Sequence, residues 1–170
     1  MGQGIAKARR YRSGAGRIAA CVASVLTLVA APVAAQPAGW AGARGVAQAS
    51  ALRELDIMLM VTSLRCRHTG DDFQADFQRF EAAHMAELNA AAQALRLAAG
   101  HTGGPAEADR AADRMSVVMA NRYGGGHPWM SCAELGAMTR DLAQMHGAAN
   151  LLAVADYALS EQAPRLAIAP

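Results

Sequence analysis

Phe73, Phe77, Phe80, His84, Leu88, Ala91, Leu95 and Ala98 follow one another at spacings of three and four, a period that an α-helix turns into a single face. All three phenylalanines of the chain lie on that face, which predicts the centre of a helical core. No stretch alternates apolar and polar residues as a half-buried strand would, and no repeat of roughly 20–50 residues is visible. The chain therefore reads as all-α, a four- or five-helix bundle.

The other helices are read in the same way. From about Ser50, Leu52, Leu55, Leu59, Thr62 and Cys66 share a face, and Ile57, Met58, Val61 and Leu64 widen it until most of the helix reads as buried. Arg65, Arg67 and His68 fall in its last turn, where cations suit the helix dipole, and Gly70 is a stop. Asp71, with Gln74 three residues on, is the expected N-cap of the phenylalanine helix. The short turn between these two helices predicts antiparallel packing. Gly100-His101-Thr102-Gly103-Gly104 reads as a flexible connector, and Pro105 fits the first position of a third helix. Ala108, Ala112, Met115, Met119 and Tyr123 form the apolar face of that helix, and Gly124-Gly125-Gly126 ends it. Ser131-Cys132-Ala133-Glu134 has the form of a capping box for a fourth helix running through Leu135, Met138, Leu142 and Met145. Gly147 marks a break or kink, Asn150 to Leu159 read as helical, and Pro164 begins a tail.

Residues 1–35 read as a cleavable secretory signal. Lys7, Arg9, Arg10, Arg12 and Arg17 come first with no acidic residue, an apolar run follows from Ile18 to Val33, and Val33-Ala34-Ala35 precede Gln36. The run of about 16 residues ends at Pro32 and Val33, short of the roughly 20 that a membrane span needs. Cys21 has a lipoprotein-like setting, but Arg17 lies just before it and leaves no upstream apolar stretch. Arg9-Arg10 lacks the apolar residues that should closely follow a twin-arginine pair, so Sec export is expected, to the periplasm or beyond. Residues 36–48, rich in alanine and glycine, read as a flexible segment; 49–162 form the helical domain and 163–170 a tail.

Removing such a signal changes two arguments. The chain carries 16 basic and 14 acidic residues, a net charge of +2; without the five basic residues of the signal the remainder is at −3, which removes the main support for nucleic-acid binding. Lys7 is the sole lysine, so the remainder offers no lysine for a phosphate loop, a Schiff base or general-base catalysis. Of three cysteines, Cys66 and Cys132 would be left, an even pair in an oxidising compartment, and a disulfide between them is expected. It would bring the end of the first helix and the start of the fourth to one pole.

Candidate chemistry is sparse. Glu81-Ala82-Ala83-His84 has the Glu-x-x-His spacing of di-iron bundles, with Glu87 one turn on, but a second such motif is missing; because His84 also lies on the phenylalanine stripe, it is expected to be a hydrogen-bonded histidine at the core edge. Met58, Met115, Met119, Met138 and Met145 fall at core-facing positions, where methionine is ordinary filler rather than a copper ligand. Cys-x-x-Cys-His, the haem attachment sequence, does not occur, and no metal or cofactor is expected. The segment 121–132 concentrates polar and aromatic residues in a glycine-rich loop beside the expected disulfide. Arg65, Arg122, Tyr123, His127 and Trp129 are therefore the candidate ligand-binding residues. The structural reading of the same segment comes before that one: Trp129 covers the disulfide, Pro128 stiffens the helix entry and Tyr123 closes the core.

Leu55 to Met60 leading into Leu64-Arg65-Cys66-Arg67, the Asp72-Phe73-Gln74 helix start, and Ala120-Asn121-Arg122-Tyr123 with Gly126-His127-Pro128-Trp129-Met130-Ser131-Cys132 resemble a family of small exported bacterial proteins of unknown function. The resemblance covers about residues 50–160. Some members carry an automatic label of S-adenosyl-L-homocysteine hydrolase, an enzyme class several times longer that holds NAD on a Gly-x-Gly-x-x-Gly turn. The resemblance implies the helical fold and the cysteine pair, and no mechanism. The expected role is a non-enzymatic binding or envelope-associated module whose partner is a protein or small molecule of the cell envelope, with no membrane span after cleavage. The alternative is a small enzyme or metal-binding protein using His127, Arg122 and Tyr123, or Glu81 and His84.

Overall fold

A computed structural model describes Trp40 and residues 42–160, apart from the side chains of His101 and Thr102. The expected signal and tail, and residues 36–39 and 41 of the expected flexible segment, lie outside the described residues. Four helical elements follow in order: α1 Gly42–Cys66, α2 Gln74–Tyr123, α3 Cys132–Leu142 and α4 Ala148–Ala158. The second breaks at Gly104, which makes five helices in all. No strand occurs among the described residues.

The phenylalanine stripe is the core. Phe73, Phe77 and Phe80 are buried against Leu52, Leu55, Met58 and Leu59 of α1 and against Leu135 and Leu142 of α3. Along α1, Leu52, Leu55, Leu59, Thr62 and Cys66 are all buried as their spacing predicts; Leu64, expected to join them, is 43% exposed. The Glu81 charge of α2 acts on Asp56 of α1, as an antiparallel pairing across the short turn requires.

The first correction concerns the start of α1. It begins at Gly42 rather than near Ser50, so the segment expected to be flexible is helical from Gly42 to Gln48. Close packing at two small residues accounts for this. Ala49 is completely buried, and Gly45 lets the chain at Trp40 approach so closely that an added Cβ would lie 2.2 Å from the Trp40 carbonyl carbon. Trp40 is thereby held in the core at 7% exposure. Gly45→Ala is expected to displace Trp40 and cost about 1–3 kcal/mol, read as a red shift of tryptophan emission with a lower thermal midpoint.

The expected cap and connector are also revised. Asp71 does not cap α2; Asp72 Oδ1 accepts the Gln74 N–H at 2.9 Å, because the chain still turns at Phe73 before becoming helical. Gly100 to Gly103 are helical rather than a connector, and the reversal is concentrated at Gly104, whose φ of +73° suits a residue without a Cβ. Pro105 then opens the returning arm as expected. Arg96 and Asp109 face each other across this hairpin at 3.4 Å, so the arms are antiparallel. The helix from Cys132 stops at Leu142, and α4 starts anew at Ala148.

His84 marks a second irregularity. Its backbone leaves the helical region, at φ −117° and ψ 15°. Its buried Nε2 lies 2.8 Å from the Leu142 carbonyl oxygen, an acceptor, so Nε2 carries the proton and donates. The ring also packs on Phe80 at 5.3 Å. His84 is thus a core histidine that fixes the end of α3 against α2.

Candidate functional site

The bond between Cys66 and Cys132 joins the last residue of α1 to the first of α3, with Cα atoms 5.9 Å apart. The two helix ends therefore meet at one pole, as expected. The capping box is complete: Ser131 Oγ accepts the Glu134 N–H, and Glu134 Oε2 accepts the Ser131 N–H at 2.8 Å. Bonds from the Ser131 backbone and hydroxyl hold the Glu134 carboxyl below its usual range.

Of the five candidate binding residues, Arg65 adjoins Cys66 and the other four belong to the segment that leads to Cys132, and their polar atoms turn to acceptors within the fold. Arg65 reaches the Gly124 carbonyl at 3.4 Å and runs past Gly126. Arg122 and Tyr123 both turn to Glu54 of α1, the tyrosine hydroxyl donating to Oε1 at 3.1 Å. Burial, and then the Glu54 charge, push the Tyr123 phenol up to about 12. His127 Nε2 donates to the Ala158 carbonyl at 2.8 Å, and Trp129 Nε1 donates to the Ser160 carbonyl at 3.1 Å. These two side chains satisfy carbonyls at the end of α4, where intrahelical donors run out.

Four rings bridge the ends of α2 and α4. Tyr123 stacks on His127 at 6.1 Å, His127 meets Trp129 edge-on at 5.0 Å, and Trp129 meets Tyr157 edge-on at 5.2 Å. With Nε2 donating, His127 Nδ1 accepts the Met130 N–H at 3.0 Å, so the neutral ring is used at both nitrogens. Burial is the main cause that pulls its pKa below the usual value. The sign follows: below about pH 6.5 the unfolded chain binds a proton here more readily than the folded one. The contribution of His127 to stability is present above that pH and lost as pH falls. His127→Gln is expected to flatten this acid limb of the stability curve in urea titrations from pH 7 to 5.

The alternative site is not assembled either. Glu81 is exposed whereas His84 is buried. Among the described residues, no three His, Cys, Asp or Glu side chains come together as a metal cage.

Besides concavities at the Gly104 hairpin and between α1 and the end of α4, two more stand out among the described residues. One, of about 270 Å³, lies between α1 and the two arms of α2, lined by Arg53, Arg96, Asp109, Asp113 and Ser116 among others. Its charges are largely spent on each other and on neighbours, as in the Arg96–Asp109 pair and the 2.8 Å bond from Arg53 to Asp56. The other is an open groove of about 520 Å³ between α3 and α4. Trp129, Met138, Met145, Val154 and Tyr157 give it apolar walls, and Ala137 and Ala153 leave room between the helices; Glu134 and Asp141 are its charged residues. Trp129 thus faces two ways, its N–H spent on the end of α4 and its ring bordering the groove.

This groove is the feature that sequence reading missed. Met138 and Met145 read as one core stripe; both pack half-buried against the core, but α3 stops between them at Leu142. Only the position of α4 against α3 turns those residues into a wall. Glu54, the acceptor that takes Arg122 and Tyr123 away from any ligand, likewise carried no local signal.

No family model, no curated protein and no solved structure matches this chain.

Proposed function

We propose that this protein is an exported, disulfide-stapled helical module that works by binding, not catalysis, and that the α3–α4 groove is its binding surface. Export is supported by the basic, apolar, small order of residues 1–35 and by a cysteine pair suited to an oxidising compartment. The aromatic pole supports a binding role indirectly. Its polar atoms are engaged within the fold, so Arg65, Arg122, Tyr123 and His127 serve to build the end of the bundle on which the groove opens.

The observation that carries the reading is the groove lining. Methionine side chains adapt to differently shaped apolar ligands, and Trp129 and Tyr157 add large rigid surfaces beside them. Tyr157 is 48% exposed, an aromatic left in water at the groove margin.

The test is capture of a neutral apolar dye. Nile red is expected to bind with a blue-shifted, enhanced emission, and Ala153→Trp, which fills the groove from an exposed position, is expected to abolish this without lowering the thermal midpoint. Equal dye binding by the parent and the variant would contradict the reading.

A further inference from the structure

We infer that the natural occupant of the α3–α4 groove is a short cationic amphipathic helix of a partner protein, apolar on one side and carrying arginine or lysine on the other. The inference rests on the groove reading above and adds the chemistry of the ligand. Charge is the first argument. The residues that line the groove include two carboxylates, Glu134 and Asp141, and no lysine, arginine or histidine. The carboxylates are seven residues apart on α3, two helical turns or about 10 Å along the axis, so they form a row beside the apolar floor rather than a single point. The Ser131 N–H and hydroxyl both donate to Glu134 Oε2, so its charge is fixed in place at the top of the row.

Shape is the second argument. The groove runs between α3 and α4, each of 11 residues, a length of about 16 Å. That span accommodates three turns of a helix lying in the trough, the mode in which an apolar face beds into a groove through residues at i, i+3, i+4 and i+7. Met138 on α3, Val154 and Tyr157 on α4, and Met145 in the link that joins the two helices offer it apolar contact. A cationic flank on the docked helix would then lie over Glu134 and Asp141, which gives orientation and a faster encounter more than raw affinity.

The probes are two designed helices of about 14 residues, one of leucine and lysine and one of leucine and glutamate in the same amphipathic pattern, with binding followed by fluorescence anisotropy of a labelled peptide. The leucine/lysine helix is expected to bind at least about tenfold more tightly than its acidic counterpart. Its affinity should fall steeply with salt, and by about five- to tenfold in a Glu134→Gln/Asp141→Asn double variant. Ala153→Trp should abolish binding, with Ala137→Leu as a second blocking variant. Equal binding of both helices, or binding unchanged by the double variant, would overturn the inference. So would two other outcomes: a parent protein that sediments as a dimer which Ala153→Trp dissociates, making a second copy the occupant; or tighter peptide binding after removal of residues 161–170, making the chain's own end the occupant. Nile red separates the two levels: dye capture that Ala153→Trp abolishes, without a charge preference among peptides, leaves the groove reading standing and removes only the cationic helix.

Discussion

Replacing both Cys66 and Cys132 by alanine is expected to lower the unfolding free energy by about 4 kcal/mol, the chain-entropy value for a closed loop of this size. The bond spans 66 residues and encloses all of α2, so without it the unfolded chain regains a long free loop. The midpoint should drop by roughly 10–20 °C for a domain of this length. Urea titration checks the figure, and dithiothreitol on the parent protein should reproduce it. A loss below about 1 kcal/mol would mean that packing at the pole holds α1 and α3 together unaided.

Phe80→Ala should be nearly as damaging. Phe80 is fully buried at the centre of the stripe, with the Phe77 ring at 6.2 Å and the His84 ring at 5.3 Å. Removing it opens a cavity bounded by side chains that cannot collapse without moving α1, and a cost of about 3–5 kcal/mol is expected. Val118→Ala, at a position 63% exposed, is the control and should stay within about 0.5 kcal/mol of the parent. The two variants measured in the same urea series distinguish a packed core from a loose helical aggregate, in which the difference would shrink.

The parts of this fold that a sequence reveals are those set by short-range rules. The period of three and four from Phe73 to Leu95 needs only a helix and an inside, and those residues are buried or half-buried along its length. The Ser131–Glu134 capping box is complete within four residues, and the structure contains both of its bonds. The cysteine pairing could be expected from the two cysteines that lie outside the leader-like segment, and those two are bonded. What could not be read depends on which groups the folded backbone brings together, whether near in sequence or far. Alanine and glycine around Gly45 look like a mobile stretch until Trp40 closes against them. Glycines at 100 and 103 look like a connector although the turn is made at Gly104 alone. Asp76 reads as an ordinary acid in a first turn, yet it is buried and held by Arg79 from its own helix and by Arg140 from α3 at 3.1 Å.

The candidate residues were legible as a group, and their partners were not. Arg65 adjoins Cys66, and Arg122, Tyr123, His127 and Trp129 belong to the segment before Cys132, but a residue type says nothing of which acceptor it will find. Glu54 and the carbonyls of Gly124, Ala158 and Ser160 take up their donors. A bundle of five helices has ten ends to finish and uses polar side chains for that purpose first, and the groove is lined in part by residues that also pack on the core, Met138 and Met145 among them.

The central claim is that this is an exported module closed by one disulfide, and intact-mass analysis of the protein expressed with its own leader tests it most directly. The account predicts a periplasmic species that begins at Gln36 and takes up no iodoacetamide under denaturing, non-reducing conditions, then two labels after reduction. A chain that retains residues 1–35, or that is labelled at Cys66 and Cys132 without reduction, would contradict it.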